Sequence, residues 1–308
     1  MITTKKVLII LLGLIYGFVV FGQNNQTETS IHDLVKKHSN EIYDSLVKIR
    51  RDFHMYPEVS GQEQKTSKKI ESYLLALGLE VKTNIGGYGV VGILQGDKKG
   101  KHIAWRADID AVQSDLSDKV EFTSKYTGIR HICGHDVHTT IGLGIANVLS
   151  RNKDKLNGTI YFIFQPSEEN FEGAKAMIDD GLFNKINPDE IYGIHMFPMP
   201  TGIISTKPEE VFAYNRRIRL TFEKDIPIDS IKHLTKIIAQ DLFRAKQESK
   251  PWELQYLSHP EKGLGNPETS YQDYLFMDDN FNVTEQNDRV FFESTLFETD
   301  KANLENIP

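Results

Sequence analysis

Residues 130–139 read Arg-His-Ile-Cys-Gly-His-Asp-Val-His-Thr, and they decide how the rest of the chain is interpreted. Cys133 and His135 stand two positions apart in this stretch, and the chain continues to an acidic pair, Glu168–Glu169, and then to His195. Thiolate, imidazole and carboxylate groups are the ligands that a borderline-soft divalent ion such as zinc accepts. The order Cys-x-His, Glu-Glu, His therefore predicts a metal site.

Helices and strands are predicted to alternate around this stretch. Some segments repeat apolar residues at helical spacing, and others are short, nearly continuous apolar runs. The predicted helices are residues 30–54, 63–77, 139–149 and 172–180, and the predicted strands are residues 89–94, 102–106, 159–165 and 190–195. Strands that are apolar on both faces and alternate with helices predict an α/β fold with a mostly parallel, mixed sheet sandwiched by helices.

The polar candidates fall where such a sheet places its ligands. Asp108, Glu168–Glu169 and His195 all follow the carboxyl ends of predicted strands. In open α/β sheets, ligands bind in the crevice outside these strand ends. We therefore expect these side chains to meet Cys133 and His135 at one edge of the sheet.

A second domain is predicted after residues 198–202. A strand over 217–222, a helix over about 229–245 and a strand over 290–296 suggest a small α+β unit. The predicted organisation is a signal peptide at 1–22, a metal-binding domain at 23–212 and the small domain at 213–308.

The first 22 residues have the pattern of a secretory signal peptide. Lys5 and Lys6 precede the apolar run Val7–Phe21, and small residues precede a cleavage point before Gln23. We expect export to the periplasm or the extracellular space, with no stable membrane insertion after cleavage. The alternative is a retained membrane anchor, because the apolar run is close to the length that spans a bilayer.

The charge and cysteine content of the chain limit the kinds of binding partner to expect. The formal net charge of −7 gives no general field for phosphate binding, so nucleic acid is not expected as a partner. Cys133 is the single cysteine of the chain. A lone thiol in an oxidising compartment is better explained by metal ligation than by packing.

The residue types also suggest a division of tasks. Cys133 and His135 can meet one ion from a tight turn at Gly134, although a buried Cys beside a structural His is the alternative. Metal-assisted hydrolysis needs one carboxylate that holds the ion and another that takes a proton from water, and Glu168–Glu169 can divide these tasks. A lone His195 would more often be a satisfied core residue, but beside the other three it is predicted to be a ligand.

Two further histidines flank the motif, and other chemistries find little support. His131 and His138 are candidates for partners that orient a ligand. The sequence contains no His-Glu-x-x-His, no Gly-x-x-x-x-Gly-Lys-Ser/Thr and no Gly-x-Ser-x-Gly motif. A papain-like role for Cys133 would make the neighbouring candidate ligands a coincidence.

The ordered motifs resemble one known family over about residues 30–205. They are Arg51-Asp52-Phe53-His54, Pro57-Glu58, Glu63-x-x-Thr66, Arg106-Ala107-Asp108-Ile109-Asp110-Ala111, Cys133-Gly134-His135-Asp136, Gln165-Pro166-Ser167-Glu168-Glu169 and Gly193-Ile194-His195. This set is similar to the dinuclear metal-dependent amidohydrolases, or aminoacylase-type peptidases. The family includes hippurate hydrolase, N-acyl-amino-acid and N-acetyl-diaminopimelate deacetylases, and auxin-conjugate hydrolases.

The resemblance implies an activity and a role for each site residue. Cys133, His135, Glu169 and His195 look like metal ligands, Glu168 looks like the general base, and Asp108 occupies a position that supports the site. The cofactor implied is one or two ions of zinc, manganese or cobalt per chain. The implied reaction is hydrolysis of amide bonds in N-acyl amino acids or small peptide-like substrates by metal-activated water.

The resemblance also implies the character of each domain. The first would be a zinc-exopeptidase-like catalytic domain. The second would be a lid or dimerisation domain, which is compatible with a homodimer.

Two family features are not found in the sequence. The family has a further metal-ligating His in a C-terminal segment that returns to the catalytic domain, and no such His precedes Pro308. It also has a Gly-rich, His-containing motif early in the second domain, where this chain has Phe222-Glu223-Lys224-Asp225-Ile226-Pro227. The alternative function is therefore that of a truncated or catalytically impaired relative that binds a metal or another ligand.

Overall fold

The computed structural model describes residues 30–197, 201–202, 204, 206, 214–244, 275–277 and 281–298. The predicted signal peptide and the predicted domain boundary at 212/213 lie outside the described residues. The chain divides into two compact units, residues 1–196 and 197–308. Among the described helices, none has the length and apolar character needed to cross a membrane.

Five α-helices lie in the described part of the first unit. They are α1 (Ile31–Met55), α2 (Gln64–Ala76), α3 (His135–Ser150), α4 (Gly173–Asp179) and α5 (Leu182–Lys185), with a 3₁₀ turn at Lys153–Lys155. The predicted helices are confirmed, and α3 begins four residues earlier than expected. Helix α1 starts after Ser30, whose Oγ accepts the backbone N–H of Asp33 as an N-cap.

The strands of this unit form one five-stranded sheet and one short ladder. They are β1 (Glu80–Ile85), β2 (Gly89–Gln95), β3 (Lys98–Asp108), β4 (Val112–Gln113), β5 (Ile129–Arg130), β6 (Asn157–Gln165) and β7 (Glu190–Gly193). The large sheet has the order β1-β2-β6-β3-β7, and β4 pairs with β5. Strand β3 lies parallel to both β6 and β7.

The mixed α/β sheet is confirmed, but two of its four pairings are antiparallel, so it is not mostly parallel. β2 runs antiparallel to β1 and to β6. The physical reason is the tight turn at Gly86 and Gly87, which both have positive φ and fold β1 back on β2 as a hairpin. A Cβ on Gly86 would lie 2.3 Å from the backbone nitrogen of Met177, so this turn also requires glycine where α4 packs.

Both faces of the large sheet are covered. Phe162 and Phe164 on β6 are fully buried against α1, α2 and α3, whereas Tyr161 and Ile163 point to the other face and pack near Met177 of α4. This alternation follows from the two-residue period of a strand. Full burial of a large apolar side chain stabilises the fold by about 1.5–3 kcal/mol, so the helices that carry the site are firmly held.

The described part of the second unit contains a small antiparallel sheet and one helix. Its elements are β8 (Tyr214–Glu223), α6 (Ile228–Leu242), β9 (Leu275–Met277), β10 (Asn282–Gln286) and β11 (Arg289–Glu298). β11 is central and pairs with β8, β9 and β10. Val290 and Phe292 of β11 are buried with Ile231 of α6, so the predicted α+β character is confirmed.

Candidate metal centre

The carboxyl ends of three parallel strands bring most of the predicted residues to one edge of the sheet. β3 ends at Asp108, β6 at Gln165 and β7 at Gly193, and the acidic pair and His195 follow the last two. His135 Nε2 lies 3.6 Å from Glu168 Oε2, 3.6 Å from Glu169 Oε1 and 3.7 Å from Asp108 Oδ1. The expected meeting of strand ends and the Cys-x-His motif is therefore what the structure shows.

The start of α3 delivers His135 to this edge. Gly134 is the N-cap residue and has a φ of 86°, a left-handed conformation that glycine adopts without strain. A Cβ on Gly134 would lie 2.9 Å from the Cβ of Met196. Glycine is therefore required here both by the turn and by the close approach of the segment after β7.

One backbone carbonyl fixes the tautomer of His135. Its Nδ1 lies 2.9 Å from the carbonyl oxygen of Asp110, which can only accept, so Nδ1 carries the proton. Its Nε2 is then directed at the carboxylates of Asp108, Glu168 and Glu169. Burial would lower the pKa of His135, but the hydrogen bond with Asp110 and the charges of the nearby carboxylates outweigh burial and raise it. This Nε2 is buried and has no hydrogen-bond partner among the described residues.

Asp110 supports the site, and the sequence did not single it out for a role. Its Oδ2 accepts hydrogen bonds from Ser60 Oγ at 2.6 Å and from the backbone N–H of Glu169 at 3.0 Å. Burial would raise the pKa of Asp110, but hydrogen bonds from His135, Ser60 and the Glu169 N–H outweigh burial and lower it. The available signal was its spacing, because residues two apart at a strand end, Asp108 and Asp110, face the same side.

Asp108 is held as a buried carboxylate. His138 Nδ1 donates to its Oδ1 at 2.6 Å, and Arg106 donates to its Oδ2 at 2.7 Å. Burial favours the neutral acid, but the His138 hydrogen bond and the charges of His135 and Arg106 outweigh it and lower the pKa of Asp108 to about 2. Asp108 therefore keeps a negative charge at the base of the site.

His138 uses both ring nitrogens to connect parts of the site. Nδ1 binds Asp108, and Nε2 accepts the backbone N–H of Met196 at 2.7 Å. The ligand atoms of His135, His138 and His195 lie within 4.8 Å of one another. Because both nitrogens of His138 are already engaged, its contacts support the predicted orienting role better than ligation.

His195 lies on the open side of the site. Its side chain is exposed, and Nδ1 lies 2.7 Å from the carbonyl oxygen of Met196, which it binds as a hydrogen-bond donor, leaving Nε2 for another partner. Its ring centroid is 4.6 Å from that of His138 and 6.1 Å from that of His135. An available imidazole nitrogen thus faces the buried one of His135 across the site.

The two glutamates have different surroundings. The Glu169 side chain is 20% exposed, and its Oε1 is buried without a hydrogen-bond partner in the described part of the chain. Glu168 is 31% exposed. Burial, together with the charges of Asp108 and Glu169, raises the pKa of Glu168, which favours proton uptake.

Cys133 completes the group beside the glutamates. Burial of the thiol, its hydrogen bond to Glu169 and the nearby carboxylates raise the pKa of Cys133 to about 12. The surrounding negative charge therefore opposes a thiolate unless a cation is bound. His131 is buried, which lowers its pKa to about 4, and its Nδ1 has no hydrogen-bond partner among the residues described.

The donor set fits a divalent metal ion. Buried polar atoms are almost always hydrogen-bonded. His135 Nε2 and Glu169 Oε1 lie 3.6 Å apart and have no hydrogen-bond partner among the described residues, so they need an explanation. Asp108, His135 and Glu168 form a second group whose ligand atoms also lie within 4.8 Å of one another. Imidazole, carboxylate and thiol together suit zinc or a similar ion.

Comparison with known proteins gives a consistent result. Residues 104–298 match the model of peptidase family M20/M25/M40. Thermostable carboxypeptidase 1 of Saccharolobus solfataricus is 43% identical over 188 residues, which cover 59% of this chain and 47% of that protein. N-acetyldiaminopimelate deacetylase of Lactococcus lactis is 38% identical over 186 residues, covering 58% and 48%.

A solved structure is also similar over most of the chain. The Bacillus subtilis YXEP protein, described as a dinuclear metal binding peptidase from the M20 family, matches with a TM-score of 0.65 and 26% identity. The match covers 87% of this chain and 68% of that one. The chain spans about half the length of the curated relatives it matches.

Proposed function

The chain belongs to peptidase family M20/M25/M40, and on this premise we propose that it is a metal-dependent hydrolase. Its substrates would be the amide bonds of N-acyl amino acids or small peptide-like molecules. The observation that carries the proposal is the convergence of two buried ligand atoms, His135 Nε2 and Glu169 Oε1, beside the carboxylate of Glu168. Neither of the two atoms has a hydrogen-bond partner among the residues that the structure describes.

Four side chains would hold the ion. They are Cys133, His135, Glu169 and His195, and the ion would be zinc, manganese or cobalt. When bound, a divalent ion supplies a positive charge that polarises the substrate carbonyl and acidifies water. Asp108 and His138 would orient this set through their mutual hydrogen bond.

Glu168 would move the proton. It is more exposed than Glu169, and its raised pKa brings it closer to the neutral range where a general base works. The carboxylate would take a proton from water as the water oxygen bonds to the carbonyl carbon. It would then give that proton to the amine nitrogen as the C–N bond breaks.

A direct assay tests this function. The full chain would be stripped with chelator, reloaded separately with zinc, manganese or cobalt, and incubated with hippurate and N-acetyl amino acids. We expect metal-dependent release of free amino acid from the wild type and its loss in Glu168→Gln. No turnover with any of the three metals would count against hydrolysis and in favour of a binding protein.

Export is also part of the proposal. The Lys5–Lys6 pair and the apolar run Val7–Phe21 support a cleaved signal peptide and a periplasmic or extracellular location. N-terminal sequencing of exported protein should begin at or near Gln23. Recovery of intact Met1 in the membrane fraction would instead indicate an anchor.

We propose in addition that residues 23–212 form the catalytic domain and residues 213–308 a lid or dimerisation domain. The separate small sheet centred on β11 supports the second assignment. Light scattering of the purified protein should give a solution mass near twice that of one chain if this domain forms a homodimer.

A further inference from the structure

The side chain of Glu63, at the start of α2, does not cap the helix as its position would predict. Glu63 is the N-cap residue, yet no side-chain cap from it is seen in the described structure. Glutamate is not among the residues preferred at this position. The Glu63 side chain is nevertheless completely buried, so its carboxylate must serve another part of the fold.

A different glutamate caps the helix. Glu58 Oε2 accepts the backbone N–H of Thr66 at 2.8 Å and the Thr66 hydroxyl at 3.0 Å, and Glu58 Oε1 accepts the N–H of Lys65 at 3.2 Å. The free N–H groups at the helix start are therefore satisfied from outside the helix. The Glu63 side chain is therefore not needed to cap α2.

The carboxylate of Glu63 reaches the turn that carries the acidic pair. Its Oε1 accepts the backbone N–H of Ser167 at 2.7 Å, and the Ser167 hydroxyl lies 3.4 Å from the same oxygen. The two residues are 104 positions apart in sequence. Ser167 directly precedes Glu168 and Glu169, so this contact joins α2 to the candidate metal centre.

The turn at Ser167 has a backbone conformation that is costly unless contacts hold it. Ser167 has a φ of 52°, in the left-handed region that residues with a Cβ adopt at a cost. Its carbonyl oxygen accepts the N–H of Gly173 at 2.9 Å, and a Cβ on Gly173 would lie only 1.6 Å from the carbonyl oxygen of Pro166. The turn is closed on one side by Gly173 and on the other by Glu63.

Helix α2 is a firm support for this contact. Ile70 and Leu74 of the helix are fully buried in the main core beside Phe162 and Phe164 of β6. β6 leads directly into Pro166 and Ser167. Helix and turn thus pack on the same core, and the hydrogen bond between Glu63 and Ser167 joins them directly.

We propose that Glu63 is a positioning residue that holds Ser167 in its left-handed conformation and thereby directs Glu168 and Glu169 towards His135. The conformational part rests on the geometry alone. The consequence for turnover rests on the proposed function.

Three variants of the full chain test the proposal. Glu63→Ala removes the acceptor, Glu63→Gln keeps an oxygen in place, and Glu58→Ala is the matched control that removes only the helix cap. The readouts are zinc and manganese affinity by calorimetry, hydrogen exchange at the Ser167 amide, and kcat and KM for an N-acetyl amino acid.

We expect Glu63→Ala to weaken metal binding and to lower kcat by about 10- to 100-fold, the usual effect of losing a group that orients a ligand. KM should change less than kcat, and the Ser167 amide should exchange faster. Glu63→Gln should retain most of the wild-type metal affinity, kcat and protection of the Ser167 amide. Glu58→Ala should lower the melting temperature while leaving metal affinity, kcat and Ser167 exchange near wild type.

The proposal is overturned if Glu63→Ala changes the melting temperature alone, as Glu58→Ala is expected to do. It is also overturned if Ser167 exchange is the same in wild type and Glu63→Ala. If Glu63→Ala does not fold, the decision rests on Glu63→Gln, which keeps an acceptor oxygen. The proposal is then overturned if folded Glu63→Gln loses metal affinity and kcat relative to the wild type. If the wild type shows no turnover, the proposed hydrolase function is wrong. The measurements of metal affinity and of hydrogen exchange at Ser167 would still decide the role of Glu63.

Discussion

At the scale of single residues, the candidate site is defined by which atoms are already engaged and which are left free. Backbone carbonyls accept hydrogen bonds from Nδ1 of His135 and of His195, so the Nε2 of each ring is left for another partner. His138 has both nitrogens occupied. Hydrogen bonding thus distinguishes residues suited to ligation from residues suited to support.

The first prediction separates the base from the ligands. Glu168→Ala should retain metal but lose turnover by about 10²- to 10⁴-fold, because it removes a general base and not a ligand. Cys133→Ala and His195→Ala should lose metal as well as turnover. Elemental analysis beside an activity assay measures both properties, and metal loss in Glu168→Ala equal to that in the other two would refute this division of roles.

The second prediction concerns acid stability without metal. The pKa of Asp108 is lowered from 3.8 to about 2, so its contribution to stability is complete above about pH 4 and is lost as the pH falls towards 2. A shift of this size corresponds to about 2 kcal/mol.

Urea unfolding in chelator, from about pH 6 to about pH 2.5, measures this contribution. Asp108→Asn should have a lower free energy of unfolding at neutral pH and a shallower fall in acid. Parallel curves for wild type and variant would contradict the assignment.

The sequence could predict the candidate ligands but not most of their supports. Cys133, His135, Glu169 and His195 have side chains whose chemistry is informative on its own. The roles of Asp110 and Glu63 arise from contacts with residues 59 and 104 positions away, respectively. No local pattern encodes such a contact.

At the scale of elements, the entry into α3 couples the helix to the segment after β7. Gly134 has a left-handed φ of 86° and lies where a Cβ would be 2.9 Å from Met196 Cβ. Met196 in turn donates its N–H to His138. A small change at Gly134 should therefore reach His195.

The third prediction compares two left-handed glycines. Gly78 has a φ of 81°, and a Cβ added to it would have no atom within 4 Å, so Gly78→Ala should cost only the conformational term of about 1–2 kcal/mol. Gly134→Ala should be more destabilising and should also weaken metal binding, because it displaces Met196. Thermal unfolding and metal titration of both variants check this, and equal losses would show that the close approach is unimportant.

The sequence predicts which segments form helices and strands better than it predicts which strands pair and in which direction. Helices α1, α2 and α3 and strands β2, β3 and β6 follow from hydrophobic periodicity. The antiparallel pairing of β1 with β2 was missed because β1, Glu80–Ile85, is mostly half-exposed and lacks a continuous apolar run.

At the scale of the whole molecule, the described residues offer a small set of candidate ligands, whereas a similar solved structure is described as a dinuclear metal binding peptidase. Cys133, His135, Glu169 and His195 can satisfy one zinc ion, which normally keeps at least three protein ligands. A second ion would have to share one of these or use Asp108 and Glu168.

The fourth prediction is therefore about one tightly bound ion per chain, with a second site that is weak. Elemental analysis of protein purified without chelator, followed by calorimetric titration of the stripped protein, counts the sites. Two equally tight sites would mean that Asp108 or Glu168 acts as an additional ligand. The variants Asp108→Asn and Glu168→Gln would then each lower the stoichiometry.

The edge position of β7 has a consequence for kinetics. This strand, Glu190–Gly193, is four residues long and lies at the end of the sheet formed by the described strands, and His195 stands two residues after it. Short edge strands fray far more often than the core opens. Fraying would carry His195 away while His135 stays buried. The residence time of a bound ion would then be set by the opening rate of one sheet edge, and the same motion would serve as the route by which ions exchange.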